Sequence, residues 1–228
     1  MTRKITIGTV QYKTDVSIEK NFNKIKLFVE NAVEKNVRLI LFPECALCGY
    51  PPIEIPSLSD IDFAEQNKYL KEVDDLSKKH DIYIALGYIH QDGHHFYNSV
   101  KIFSPHQEEL PIYHKRALWG YDQNNFIPGN HQGIYEIDHI KIGLRICFEI
   151  RFPEYFRELF QEEVDVCLLS LCDVGSMENK ARRDIIKAHM ISRAVGNVFY
   201  LVSSNSMSSY PLAPTCFVSP SGQILNEA

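Results

Sequence analysis

The feature that most restricts the fold of this chain is an alternation of strand-like and helix-like segments in both of its halves. Apolar runs and period-two patterns predict strands at 4–12, 37–42, 82–90, 96–103, 110–114, 134–147, 164–170 and 198–203. Apolar stripes at spacings of three and four predict helices after the N-cap Ser17, over 60–79, over 153–163 and over 178–195. Strands that alternate with helices in this way predict an α/β fold.

Two turn signals complete the predicted architecture. Asp92-Gly93 lies between two strand-like runs and predicts a hairpin with a type I′ turn, which needs positive φ at both central residues. Pro220-Ser221-Gly222 predicts a second hairpin over 215–225. Since no linker, repeat or low-complexity tract divides the sequence, residues 1–228 are predicted to form one domain. We expect two sheets with helices on their outer faces.

Composition and charge argue against several classes of protein. With 228 residues and 45% hydrophobic content, the chain can bury one substantial core. Its net charge of −5 and the lack of a long basic run argue against a protein that binds nucleic acid phosphates. The N-terminal sequence MTRKITIG has no secretory signal pattern, and no apolar run is long enough to span a membrane. We therefore expect a soluble, cytoplasmic protein that does not act on membranes.

The cysteines and clustered histidines give no pattern for a metal site. The six cysteines are sparse for a disulfide scaffold of this length. Cys45 and Cys48 have CxxC spacing, but a structural zinc site needs a second such pair, which the sequence lacks. Histidines 90, 94 and 95 surround the predicted hairpin turn without further convergent ligands. We expect packing thiols and exposed turn histidines, with no metal or organic cofactor.

The stretch LRICFEIRFPE at 144–154 places Cys147 where a strand passes into a helix. Apolar residues of 140–146 share one strand face, and Cys147 falls in the opposite phase. Pro153 suits the first turn of the following helix, and Glu154 complements its N-terminal dipole. Because open α/β sheets place ligands at such strand ends, Cys147 is a candidate nucleophile. On this pattern alone a buried core cysteine is the stronger interpretation.

Two other predicted strands end in charged residues. Glu44 closes an apolar run, where a carboxylate needs a partner or a raised pKa. Lys115 closes a shorter strand. Each charge taken alone fits an exposed strand end, but the three strand ends together suggest a catalytic set. Glu44 would be the base, Cys147 would attack a carbonyl or nitrile carbon, and Lys115 would stabilise the oxyanion. The backbone N–H of Phe148 is the natural second oxyanion donor.

Several stretches together resemble the nitrilase, or carbon-nitrogen hydrolase, superfamily over nearly the whole chain. They are FPE at 42–44, Tyr97-Asn98-Ser99, YHK at 113–115, FIPG at 126–129, GLRICFEIRFPE at 143–154, SRAVGN at 192–197 and SPSGQIL at 219–225. The CxxxRFPE element is highly specific, and FPE and Y-x-K precede it in the family's order. The resemblance implies a four-layer α-β-β-α sandwich. It also implies that Glu44, Lys115 and Cys147 match the family's catalytic triad.

Further expectations depend on this resemblance. Many members place a second glutamate four residues before the Phe of FxPG, to position the lysine and substrate; Asp122 stands there and is one methylene shorter. Residues 170–176 correspond to a segment that lines the substrate pocket. Asp173 within it is a candidate for recognising an amine-bearing substrate, with loop capping as the alternative. Members usually continue past the position of residue 228 with a further strand and tail, so the resemblance leaves open a sandwich that lacks both, through truncation or as a shortened natural variant. A homodimer or a higher homo-oligomer is expected, with the helix from Pro153 at its interface.

The sequence therefore predicts one function and leaves three alternatives. We expect a hydrolase of non-peptide C–N bonds that cleaves a small linear amide or carbamoyl compound and releases ammonia or an amine. The reaction would pass through a thioester on Cys147, with no cofactor. Nitrile hydrolysis on the same residues is one alternative, and a catalytically silent binding protein on the same fold is another. The third is a Cys–His hydrolase or acyltransferase that uses His114 or His189 as its base, although neither histidine lies in a local motif.

Overall fold

Two sheets form the centre of the structure, a computed structural model that describes residues 4–106 and 109–228. The first sheet consists of β1 (Ile7–Thr9), β2 (Leu39–Leu41), β3 (Tyr83–Asp92), β4 (His95–Phe103) and β5 (Tyr113–His114), hydrogen-bonded in that order. The second sheet consists of β6 (Ile134–Ile137), β7 (Ile140–Ile146), β8 (Val166–Leu171), β10 (Tyr200–Asn205), β12 (Cys216–Val218) and β13 (Ile224–Glu227). A separate ribbon pairs β9 (Val174–Gly175) with β11 (Tyr210–Pro211).

In the part of the chain that the structure describes, five α-helices accompany the sheets. They are α1 (Ile18–Glu34), α2 (Phe63–His80), α3 (Asp122–Asn125), α4 (Pro153–Gln161) and α5 (Ala181–Asn197). The first begins as predicted, because the Ser17 side chain accepts a hydrogen bond from the N–H of Lys20 at 3.3 Å. Pro153 is the first residue of α4, also as predicted. Within the described ranges, no helix is both long enough and apolar enough to cross a membrane.

Three buried apolar clusters separate four layers. The first packs α1 and α2 on the outer face of the first sheet, around Ile25 and Val29. A second cluster, which includes Leu41 and Ile142, lies between the sheets. The third packs α4 and α5 against the second sheet and includes Phe156. Burying side chains of this size stabilises the fold by about 1.5–3 kcal/mol each. The predicted α-β-β-α sandwich is confirmed.

Parallel strands in each sheet bring several chain segments to one edge. In the first sheet β1, β2 and β3 are parallel, with α1 and α2 as the connections. In the second, β7, β8 and β10 are parallel, with α4 and α5 as the connections. The carboxyl ends of such strands are where open α/β sheets place ligands. The segments that follow β2, β7 and β8 are therefore placed to form a site.

The hairpin between β3 and β4 differs from the sequence prediction by one residue. Asp92 pairs with His95, so Gly93 and His94 form the turn. Of these two only Gly93 has positive φ, at 57°. A type I′ turn on Asp92-Gly93 is therefore wrong, because strand pairing continues through Asp92. The hairpin itself is confirmed, as is the later one over β12 and β13.

The segment 134–147, predicted as one strand, forms two. Asp138 and His139 both have positive φ, at 49° and 64°, and they reverse the chain between Ile137 and Ile140. Two successive positive φ values are the requirement for a type I′ turn. The turn was missed because neither residue is a glycine.

Gly87 in β3 lies where the backbone after β2 passes closest. A Cβ at this position would lie 2.3 Å from the carbonyl oxygen of Pro43, 2.6 Å from the nitrogen of Cys45 and 2.9 Å from the Cα of Glu44. These are backbone atoms, which cannot rotate away. We predict that Gly87→Ala lowers the free energy of unfolding by about 3 kcal/mol, because overpacking shifts the backbone. Urea denaturation followed by circular dichroism measures the change.

Gly196→Ala provides the matched control. Gly196 lies in α5, and a Cβ there would meet nothing within 4 Å. Alanine has the higher helix propensity, so this substitution should raise the free energy of unfolding by up to about 1 kcal/mol. A loss of stability at Gly87 no larger than the change at Gly196 would contradict the close-approach argument.

Candidate active site

Glu44 follows β2 and lies buried where the two sheets meet, with 1% of the residue exposed. Its Oε1 accepts hydrogen bonds from Asn98 Nδ2 and from Lys115 Nζ, both at 2.7 Å. Its Oε2 accepts a third from the backbone N–H of Cys172 at 2.8 Å. Cys172 follows β8, so a carboxylate of the first sheet is held by the backbone of the second. These donors satisfy a buried charge that would otherwise be costly.

Lys115 comes directly after β5 and is equally buried. Its Nζ donates to Glu44 Oε1 and to Asp122 Oδ2, both at 2.7 Å. The ring of Tyr50 lies against the ammonium, 5.6 Å from Nζ to the ring centroid. Burial alone would lower the pKa of Lys115, but the two carboxylates outweigh burial and hold the pKa well above its ordinary value. The lysine is therefore a cation at neutral pH.

Asp122 begins the one-turn helix α3 and is fully buried. Its Oδ2 accepts from Lys115, and its Oδ1 accepts from the hydroxyl of Tyr50 at 2.7 Å. Burial, reinforced by Glu44 and Asp122, raises the pKa of Tyr50 far above its ordinary value, so that hydroxyl remains a donor. The shorter acidic side chain at this position thus reaches the lysine.

Cys147 begins a 3-10 turn directly after β7, which confirms its predicted place at a strand end. Its φ is 44°, a left-handed conformation that residues other than glycine rarely adopt. It is partly exposed, whereas the other five cysteines are buried. Burial raises the pKa of the Cys147 thiol well above its ordinary value, and Glu44 raises it further, while Lys115 lowers it. Cys147 is therefore a thiol at neutral pH.

Glu149 joins the turn after β7 to the chain around β5. Its carboxylate accepts from the backbone N–H groups of Ile146 and Arg116, both at 2.6 Å, and from the hydroxyl of Tyr113 at 2.9 Å. Burial raises the pKa of Glu149, and Arg145 and these donors oppose the shift. Ile146 immediately precedes the cysteine, and Tyr113 and Arg116 lie on either side of the lysine. One buried carboxylate therefore fixes the two segments relative to each other.

A cavity of about 530 Å³ contains most of the predicted site. Cys147, Phe148, Lys115 and Asp173 line it together, and Lys115 connects it to Glu44 and Asp122. The structure thus brings all six predicted site residues to one place. A larger cavity of about 1140 Å³, beside β1 and the second sheet, contains none of them.

Asp173 follows β8 and is paired within the protein. Arg182 donates to both carboxylate oxygens, with Nε 2.9 Å from Oδ1 and Nη2 2.9 Å from Oδ2. The backbone N–H of Asp173 donates to Asn205 Oδ1 at 2.8 Å. The arginine neutralises this carboxylate. A role for Asp173 in binding an amine-bearing substrate stays a prediction.

Neither histidine of the Cys–His alternative lies in the cavity with Cys147. His114 Nδ1 is 2.8 Å from Ser99 Oγ, its ring stacks on Tyr97, and burial lowers its pKa to about 4. Within residues 4–106 and 109–228, no histidine lines that cavity. Those ranges also hold no group of three or more His, Cys, Asp or Glu placed to bind a metal ion. Glu44 is the charged group that acts most strongly on the Cys147 thiol.

Three contributors to the site were missed by sequence reasoning. Asn98 and the N–H of Cys172 hold Glu44, and Tyr50 holds Asp122. Asn98 belongs to the family-like motif Tyr97-Asn98-Ser99, which could have identified it. Tyr50 lies in an irregular segment that has no pattern to single out one residue. A backbone donor such as the N–H of Cys172 has no sequence signal.

Comparison with known proteins gives relatives over most of the chain. The model of the carbon-nitrogen hydrolase family matches residues 6–228. The chain is 26% identical to 2-oxoglutaramate amidase of Bacillus subtilis (strain 168), over 98% of this chain and 86% of that protein. It is also 26% identical to nitrilase 2 of Arabidopsis thaliana, over 76% of this chain and 55% of that protein.

Solved structures share the fold. An amidase from Nesterenkonia sp. superposes with a TM-score of 0.86 at 19% identity, over 98% of this chain and 86% of that one. Variants of that amidase hold acrylamide, butyramide, or the acetamide moiety of fluoroacetamide joined to the active-site cysteine. At this identity the likeness shows the fold alone, whereas the family model spans nearly the whole sequence. The chain belongs to the carbon-nitrogen hydrolase family, a family of hydrolytic enzymes.

Proposed function

We propose that this protein hydrolyses small linear amides through a thioester on Cys147. The main support is geometric, since Lys115 Nζ lies 2.7 Å from Glu44 Oε1 and lines one cavity with Cys147. A nucleophile, a base and an oxyanion-stabilising cation are the groups that acyl transfer needs. The amidase names of the Bacillus and Nesterenkonia proteins favour an amide substrate. The name of the Arabidopsis relative, a nitrilase, favours nitriles as the alternative substrate class.

Formation of the thioester needs a base, because Cys147 rests as a thiol. In the proposed first step Glu44 takes the thiol proton while the sulfur attacks the amide carbon. The new C–S bond moves the carbonyl π electrons onto oxygen. Lys115 Nζ and the backbone N–H of Phe148 then donate to that oxyanion. Asp122 keeps Lys115 protonated and oriented during this step.

The second half of the reaction returns the proton. Protonated Glu44 donates it to the leaving nitrogen as the C–N bond breaks, so a primary amide releases ammonia. Water then attacks the thioester while Glu44 takes a proton from it. Collapse of this second intermediate breaks the C–S bond, and Glu44 gives the proton to the sulfur. The products are a carboxylic acid and ammonia, and the thiol and carboxylate are regenerated.

The expected homodimer through α4 remains part of the proposal. Phe152, which precedes the helix, is 36% exposed, and Phe160 near its end is 44% exposed. Exposed aromatic side chains are enriched in interfaces between subunits. This surface supports a partner subunit at the helix that begins at Pro153.

Removal of the nucleophile should abolish turnover. We predict that the wild type releases ammonia from acetamide, butyramide or acrylamide and that Cys147→Ala lowers the rate at least about 10³-fold, the scale expected for loss of a nucleophile. A coupled assay for ammonia measures the rate. Intact-mass spectrometry of acid-quenched wild type should show one added acyl group, which the variant lacks.

Cys167→Ala is the matched control, because Cys167 is a buried thiol outside this cavity. It should keep its activity within about twofold. Full turnover by Cys147→Ala on a confirmed substrate would contradict the mechanism. Release of ammonia from the matched nitriles but not from the amides would favour nitrile hydrolysis. Binding of amides without turnover would favour the silent binding protein.

The charge of Glu44 should control the acidity of the Cys147 thiol. Because that carboxylate raises the pKa of Cys147, Glu44→Gln should lower it, so thiolate forms at lower pH. We predict that modification of Cys147 by methyl methanethiosulfonate in the wild type accelerates with pH through the alkaline range. The pH–rate curve of Glu44→Gln should lie at lower pH. Peptide mass spectrometry follows Cys147 separately from the buried cysteines.

Asp122→Asn is the control for this experiment. It removes a second carboxylate from Lys115 but not the one that acts most strongly on the thiol. Its pH–rate curve should therefore move less than that of Glu44→Gln. An unchanged or higher apparent pKa of Cys147 in Glu44→Gln would show that Glu44 does not act on the thiol.

A further inference from the structure

The mouth of the Cys147 cavity is formed by large apolar side chains that remain exposed. Ile53 is 44% exposed, Trp119 is 51% exposed and Ile185 is 55% exposed, and all three line this cavity. They come from three separate parts of the chain: the segment after β2, the segment between β5 and α3, and α5. Exposed apolar surface gathered around one concave site is typical of a ligand-binding groove.

The apolar surface continues from the mouth into the cavity. Ile150, Ile186 and Leu212 also line it and are at most 5% exposed. Lys115 stands at the buried end, where the proposed chemistry occurs. An amide group held there would direct its acyl chain along this wall toward the mouth. At about 530 Å³, the cavity falls in the range of sites for ligands much larger than acetamide.

The charged side chains around the outer part of the cavity provide little binding energy for a charged acyl group. Asp173 and Arg182 neutralise each other in a two-point ion pair. Arg151 is exposed and lies against the ring of Phe148, with 5.6 Å between the guanidinium carbon and the ring centroid. Glu178 is exposed as well. A solvated charge gives little binding energy compared with a desolvated one.

We propose that the amide hydrolysed here carries an extended apolar acyl chain, which packs against Ile53, Trp119 and Ile185. The proposal rests on the proposed amidase function, and it assigns these three side chains to the selection of the acyl group. Each further methylene buried on this surface should improve binding roughly threefold to fourfold. Substrate selection would then depend on chain length more than on charge.

The single tryptophan of the sequence makes a direct test possible, since Trp119 is that residue. Acetamide, butyramide and hexanamide are titrated into Cys147→Ala, which cannot turn them over. The affinity should rise with chain length, and hexanamide should shift the Trp119 emission to shorter wavelength as the acyl chain covers the indole. Adding Ile185→Ala should weaken hexanamide binding roughly threefold or more and affect acetamide less.

Leu27→Ala is the matched control, because Leu27 on α1 is 56% exposed but lies outside the cavity. It should leave the dependence on chain length unchanged. The proposal is overturned if affinity does not depend on chain length, or if adipamic acid, which ends in a carboxylate, binds more tightly than hexanamide.

Turnover by the wild type distinguishes failure of the apolar-chain proposal from failure of the proposed amidase function. Hexanamide binding without turnover would overturn the amidase function and support the apolar site. Amide turnover without any preference for chain length would support the amidase function and overturn the apolar site.

Discussion

The structure depends on one buried ionic cluster, formed by Glu44, Lys115 and Asp122. None of the three is more than 1% exposed. Moving such charges out of water costs several kcal/mol per ion unless they are paired and hydrogen-bonded. The lysine pairs with both carboxylates, and the side chain of Asn98 and the N–H of Cys172 satisfy Glu44 further. Because any missing partner leaves a buried charge, the ends of β2, β5 and β8 and the start of α3 must meet at fixed positions.

The two sheets are also held at fixed positions by directional polar contacts between them. The apolar cluster between them gives cohesion but no direction, since dispersion and the hydrophobic effect are non-directional. Hydrogen bonds across the gap give the direction. The N–H of Glu44 donates to the carbonyl of Leu171 at 3.3 Å, and Ser170 Oγ donates to the carbonyl of Phe42 at 3.0 Å. Glu149 also joins the two sheets, because its carboxylate accepts hydrogen bonds from Ile146 in β7 and from Tyr113 in β5. The turn with the cysteine is thereby held opposite the lysine.

The parts of the site that could be predicted have local signals. Glu44, Lys115 and Cys147 each lie at or just after the end of a strand-like run, and each lies in a short motif (FPE, YHK and CxxxRFPE) that a few neighbouring residues define. Asn98 donates a hydrogen bond to Glu44, which lies 54 positions away in the sequence. The residues next to Asn98 therefore do not indicate its partner. The conformation of a turn can also depend on residues that are distant in the sequence. The β3–β4 turn depends on the register of the whole strand pair, and Asp138-His139 adopts positive φ because the chain must reverse there. Layer order was predictable because it follows from apolar periodicity.

The proposed chemistry and the proposed substrate selectivity depend on different kinds of structure. Glu44, Lys115 and Cys147 follow strands whose positions are fixed by packing on both sides, so a change there disturbs buried charges and the contact between sheets. The mouth of the cavity is formed by half-exposed side chains from irregular segments and one helix face. Surface substitutions of this kind usually change stability by no more than about 0.5 kcal/mol. Under the proposed function, substitutions at the mouth would change which acyl group is accepted while the ionic cluster beneath it stays intact.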